Sequence, residues 1–374
     1  MLFRSVIRVD LQDTANNFIL DLDGMATTTD IVRTDDGKIV VSSRNNNGGA
    51  EVHVRSSSLS AVYGQVEVGD HVNALAAKGD YIFIASANNN ELGIMDHTDC
   101  LGALEGYGCN TKWYDVPQST GELSALTLHD DTLYVGRTNG YLHILDVSDP
   151  LDPSHEYAVD TGSAALTDIA PDERNNVILV STDGASTKEV LVVDLSNSDV
   201  VPVDLVGAQS TDAIIRHGNL AYVAARDNEE IQILRGGLGG WIAPQFVDDY
   251  DIDGGADGRA MYVAQGKSFV ITGTVLTVFD VSDPGNIQLL DSLDAGFTLQ
   301  DVVAQGDYIY VATNHNQQEL ITLDMSDPQN ITPVPGGIFN SEGGQDGISV
   351  ELDGDRLYLG TRKNTGGQIG RAHV

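Results

Sequence analysis

Positive charge is what the sequence has least of: 20 Lys and Arg stand against 55 Asp and Glu in 374 residues, a formal net charge of −35 with His neutral. A field of that sign repels nucleic acid and anionic membrane surfaces and attracts cations, so neither nucleic acid nor a lipid headgroup surface is an expected partner. Solubility in a saline or calcium-rich exterior accounts for the acidity equally well. Long apolar runs are missing too. No stretch reaches the roughly 18 to 20 apolar residues of a membrane-spanning helix, so no membrane insertion is expected of these residues. Cysteine is limited to Cys100 and Cys109, which enclose the stretch CLGALEGYGC. A zinc site needs about four ligands, and no second cysteine pair or flanking His supplies them. A disulfide closing one inserted loop is the expectation, which implies an oxidising compartment, extracellular or at a cell surface. Two unrelated free thiols are the alternative.

Catalytic signatures are absent in the same way. There is no HExxH pair, no GxSxG elbow, no P-loop and no GxGxxG opening a helix, and the 9 His are scattered without repeated spacing. The segment Gly236 to Trp241 (GGLGGW) is glycine-rich, but no helix follows it to hold phosphate, so it reads as a flexible loop with Trp241 as a contact residue. No catalytic residue is nominated.

What the sequence does contain is repetition. An apolar strand, a Gly-Asp or Asp-Asp turn, a strand of the type YIFIA, a polar loop, a strand of the type LxxxD and a final strand recur along the chain. The YIFIA-type strand begins near Lys38, Tyr81, Thr132, Val177, Leu220, Phe269, Tyr308 and Arg356. The spacing is about 45 residues, that of a four-stranded propeller blade. Runs rich in Val, Ile, Leu, Tyr and Thr are bounded by Gly, Asp, Asn and Pro, and no apolar pattern of period 3.6 persists over a helix length. The fold class is therefore all-β, a β-propeller of four-stranded antiparallel blades. Seven complete units run from about Asp30 to Gly337, flanked by half-units, VIRVDL with NFILDL and GISVEL with RLYLG. Pairing the halves gives eight blades, the favoured count, and leaves no exposed edge. A seven-bladed ring with leftover strands is the alternative.

The third strand and its turn read LHILDVSDP (Leu142 to Pro150), LTVFDVSDP (Leu276 to Pro284) and LITLDMSDP (Leu320 to Pro328), with weaker copies at Leu191 to Asp199 and Val6 to Asp13. The unit at QILRG (Gln232 to Gly236) has lost the Asp. In this motif the Asp and Ser oxygens can accept backbone amides ahead of them and the Pro stops the strand, so it reads as a turn-maker. The pattern resembles the LVIVD repeat of bacterial and archaeal surface proteins, and the resemblance implies a propeller and a surface or secreted parent protein.

Two groups of residues are candidate sites. Asp249, Asp251, Asp253 and Asp257 lie in DYDIDGGAD, similar to the calcium loops of integrin-like propeller blades, where alternate carboxylates converge on a hard cation. An EF-hand would end in Glu where Ala260 stands, and an ordinary acidic strand face is the rival reading. Asp30, Asn73, Asp168, Asp212, Asp301 and Asp346 recur near the starts of the innermost strands, where they could form a collar at one mouth of the central channel. Turn capping is the alternative for these.

The ends differ from the rest. Leu2 to Ser5 (LFRS) and Ile369 to Val374 (IGRAHV) resemble translated sequencing adapters, so residues 1–5 and 369–374 are expected to be non-native and one propeller domain to span 6–368. The functional expectation is a noncatalytic binding or scaffold module of a larger surface or secreted protein, offering loops to a protein, glycan or cell-wall partner, with Ca2+ as its one candidate cofactor. The rival is a calcium-dependent, lactonase-like propeller hydrolase with an axial acidic site. Fold does not choose between them.

Overall fold

The second strand of each repeat is apolar at consecutive positions, and that determines how the repeats pack. In Tyr81–Ser86, Ile82, Phe83, Ile84 and Ala85 are all fully buried. Successive side chains of a strand leave opposite faces, so both faces of this sheet are covered. Ile82 and Ile84 pack with Val40, Val52 and Val54 of the preceding repeat. Phe83 and Ala85 pack with Leu133, Val135 and Leu145 of the following one. Every sheet is a layer between two others, and burying each such side chain contributes about 1.5–3 kcal/mol before chain entropy is set against it.

The computed structural model describes residues 5–10, 18–21 and 27–363, apart from 45–49, 70, 88–90, 101–107, 118–119, 163–164, 173–175, 184–187, 228–229, 238–239, 253–256 and 341–344. These residues form 32 strands and no helix. The strands make six four-stranded antiparallel sheets and one eight-stranded sheet. The latter divides into two sets of four, joined by a single bridge from Thr27 to Arg362. Seven units follow one another in sequence, blade 1 at 27–66, blade 2 at 72–115, blade 3 at 123–160, blade 4 at 165–203, blade 5 at 208–250, blade 6 at 258–294 and blade 7 at 299–339. The remaining set, blade 8, takes Gln345–Asp353 and Arg356–Lys363 as its inner strands and Ser5–Asp10 and Phe18–Asp21 as its outer ones.

This is the pairing that an eight-fold closure requires. Val6 opposes Gly360, Arg8 opposes Tyr358 and Asp10 opposes Arg356. The innermost strand of each blade packs on that of the next, and the innermost strand of blade 8 packs on that of blade 1, so the ring is closed. Ser5, assigned by sequence to the foreign end, opposes Asp21 in blade 8. Residues 1–4 and 369–374 lie outside the described residues.

The turn after the third strand is built as its sequence suggests. Asp280 Oδ1 accepts Ser282 N at 2.9 Å and Ser282 Oγ at 2.5 Å, and Asp146, Asp194 and Asp324 each accept the amide of the Ser two residues on. Those donors hold the carboxyls of Asp146, Asp280 and Asp324 below the usual carboxylate range. The GGLGGW segment differs from expectation. The third strand of blade 5 continues to Gly237, the fourth starts at Gly240 and these two glycines oppose each other. Trp241 is fully buried between blades 4 and 5 and donates Nε1–H to Asp172 Oδ2 at 2.7 Å. It is a core anchor, because an indole that loses its water must find both apolar cover and an acceptor.

Candidate channel-mouth site

Each innermost strand carries a β-bulge near its start, and the bulge sorts the collar residues into classes. The register shifts between Thr28 and Asp30, Val72 and Ala74, Leu166 and Asp168, Thr211 and Ala213, and Leu299 and Asp301. Asn73 and Asp212 are therefore bulged residues, whereas Asp30, Asp168 and Asp301 come directly after the bulge. Asp346 precedes the shift between Gly347 and Ser349. A bulge re-aims the side chains beside it, here toward the next blade.

The three post-bulge aspartates share one geometry. Each accepts the amide of its own successor through Oδ1: Ile31 at 2.8 Å, Ile169 at 2.8 Å and Val302 at 2.9 Å. Through Oδ2 each accepts an amide from the innermost strand of the following blade: Leu75 at 2.8 Å, Ile214 at 3.1 Å and Val350 at 2.8 Å. Burial raises all three carboxyls and the amide donors pull them down; burial prevails, leaving Asp30 and Asp301 at about 6 and Asp168 also raised. The bulged residues bond outward in the same direction. Asn73 Nδ2 donates to Leu123 O of blade 3 at 2.7 Å, and Ser124 and Thr167 donate to Leu166 O and Thr211 O of the blades that follow them. Asp212 and Asp346 are instead neutralised by arginines of their own blades. Arg226 Nε lies 3.0 Å from Asp212 Oδ2 and Arg362 Nη2 lies 3.1 Å from Asp346 Oδ2.

The collar is thus a girdle of blade-to-blade hydrogen bonds and local ion pairs. Sequence reasoning found its acids and missed Ser124 and Thr167, which occupy the same bulge position with a hydroxyl. It also missed the buried glutamates Glu51, Glu189, Glu230 and Glu319, each directly ahead of an apolar third strand. Glu51, Glu189 and Glu230 accept amides of the segment leaving the fourth strand, Val68 at 2.6 Å, Leu205 at 3.1 Å and Ile252 at 2.7 Å. Burial pushes Glu51 up to about 7. A Glu recurring before VHV, VLV, IQI and LIT was the available signal.

Of the four DYDIDGGAD aspartates the structure describes three. Asp249 is half-buried on the fourth strand of blade 5 opposite Gln232, and burial and neighbouring Asp248 raise its carboxyl. Asp251 and Asp257 are exposed, with Asp257 in the field of Arg226, and Asp253 lies outside the described residues. Among the described residues no group of three or more His, Cys, Asp or Glu is arranged to hold a metal ion. Cys100 and Cys109 form a disulfide, Sγ–Sγ 2.09 Å, between the third and fourth strands of blade 2. Cavities of about 470 and 230 Å³ open between blades 8 and 1 and between blades 5 and 6, and neither is lined by a collar acid.

The LVIVD repeat family model matches residues 69–96, 121–161 and 298–334. No curated protein matches the chain in sequence. Among solved structures the computationally designed protein Ika8 is similar with a TM-score of 0.67 at 12% identity, covering 91% of this chain and 95% of Ika8. Sqt1 of Saccharomyces cerevisiae is similar with a TM-score of 0.66 at 8% identity, covering 91% and 97%. BamB of Moraxella catarrhalis is similar with a TM-score of 0.60 at 11% identity, covering 100% and 99%. At these identities the likeness speaks for the fold, and with the matched repeats it gives the assignment: the chain is a β-propeller carrying LVIVD repeats.

Proposed function

We propose that the chain is a noncatalytic binding or scaffold propeller, part of a larger secreted or surface protein, whose partner is a protein, glycan or cell-wall component. One observation carries the reading: the inner-strand acids that an axial metal hydrolase would aim at its cation are engaged in holding blades together. Asp30, Asp168 and Asp301 each have both oxygens on backbone amides. A catalytic cation needs several carboxylates turned to one open position, and these are turned to neighbouring strands. The disulfide supports an oxidising compartment.

The test is an assay of the purified chain against chromogenic lactones and esters with and without calcium, alongside capture of surface glycans and cell-wall fragments. The expected result is capture without turnover. Calcium-dependent turnover that Asp168→Asn abolishes at an unchanged melting temperature would replace this reading with the lactonase-like one.

A further inference from the structure

At one end of the ring the strands of three blades line up so that Arg362 of blade 8 opposes Thr27, Thr27 opposes Arg44 of blade 1, and Arg44 opposes His71 of blade 2. Directly opposed residues of antiparallel strands lie on one face. With neighbouring strands about 4.8 Å apart, Arg44 and Arg362 stand about 10 Å from each other across Thr27, within reach of a common point for two such long side chains. In a chain with 20 Lys and Arg against 55 Asp and Glu, two arginines this close together are a local concentration of positive charge.

The row is paired at its ends and open at its centre. Its ends are tethered, Arg362 to Asp346 at 3.1 Å and His71 to Glu122 at 3.9 Å. Arg44 between them is exposed and enters no ion pair among the described residues. The arginine at the same place in blade 5 offers a contrast, because Arg226 is paired with both Asp212 and Asp183. Among the described residues, Arg44 alone of these three arginines has no carboxylate on its fork.

We propose that this row binds a compact, singly charged carboxylate on the propeller's partner. The inference rests on the reading of the chain as a binding module and names what it binds and where. Guanidinium forks match carboxylate oxygens two by two. The net charge of −35 repels an extended polyanion as a whole. One carboxylate within the Debye length of about 8 Å answers to the local row instead.

The experiment is isothermal titration at fixed ionic strength with sodium glucuronate and N-acetylalanine, one carboxylate each on a sugar and on a peptide-like body, and with glucose as the neutral reference. At least one carboxylate should bind and glucose should not, and the preferred one identifies the source. Arg44→Gln should weaken binding by about tenfold or more, the loss of one charge-assisted hydrogen-bonding group. Arg235→Gln, in blade 5, should bind as the wild type does, with all three proteins melting alike. Failure of both carboxylates to bind, or wild-type binding by Arg44→Gln, overturns the proposal. Capture of a glycan or cell-wall fragment that persists in Arg44→Gln would overturn the row while leaving the binding-module reading intact, whereas turnover of substrate would overturn that reading.

Discussion

Asp301 shows how a single carboxyl comes to serve two blades. Its oxygens take the amides of Val302 and of Val350, 49 residues away in the next blade. Asp301→Ala leaves the Val350 amide at the junction without its acceptor, a loss expected to cost about 1–3 kcal/mol in urea denaturation. The pH dependence has a definite sign. The folded carboxyl lies at about 6, above the roughly 3.9 of an unfolded Asp. Its proton-linked contribution is therefore fully present below about pH 4 and is lost as pH rises through about 6. Asp301→Asn cannot titrate, so the stability gap to the wild type should be widest near pH 4 and narrow toward pH 7. Asp280, held below its usual range by Ser282, has the opposite sign: its contribution is present above about pH 4 and is lost as pH falls below that. Denaturation curves of Asp301→Asn and Asp280→Asn between pH 3 and 7 should diverge from the wild type at opposite ends. At this scale the sequence displayed the acids and concealed their purpose, because the amide each one accepts is set by blade packing and lies in a different repeat.

Elements divide by whether their causes are local. The DVSDP turn was readable because Asp280 and Ser282 satisfy each other two residues apart, and the second strands were readable because burial on both faces demands unbroken apolar runs. The bulges were not, since a bulge exists only against the partner strand's register, and it is the bulge that puts the collar residues at three different positions: on it, after it and, for Asp346, before it. The hairpin of blade 2 shows the same division. Its disulfide was expected from two cysteines, yet its packing partner was not: a Cβ at Gly64 in blade 1 would lie 2.0 Å from Cys109 Sγ and 2.4 Å from Cys100 Sγ. The crosslink seats itself on bare backbone of the neighbouring blade. Gly64→Ala is expected to destabilise by about 1–3 kcal/mol through overpacking. The cost should shrink in a Cys100→Ala, Cys109→Ala background, where both sulfurs are gone. A double-mutant cycle of melting temperatures measures that coupling, and additive losses would mean that the two blades do not meet there.

For the whole molecule the governing fact is that the ring closes through its two ends. Blades 1 to 7 each take four consecutive strands, but blade 8 exists only when Ser5–Asp10 lies beside Arg356–Lys363. Closure was legible because the terminal half-units supplied complementary strands, while the row of basic residues across blades 8, 1 and 2 was not, since its members are far apart in sequence and become neighbours only on closure. A ring joined this way gains stability from tying the ends together, as both outer edges of an open blade would otherwise stand unpaired. Covalent closure tests it. Ile7 opposes Leu359, so Ile7→Cys with Leu359→Cys, in the Cys100→Ala, Cys109→Ala background, should form a disulfide on mild oxidation, leaving no thiol open to labelling. The loop closed spans nearly the whole chain, for which the chain-entropy model gives about 6 kcal/mol of stabilisation, with engineered bonds commonly delivering less. The oxidised protein should therefore melt several degrees above its reduced form. In a seven-bladed ring with leftover strands these two positions would sit in different sheets, the thiols would stay labelled, and oxidation would leave the melting temperature where it was.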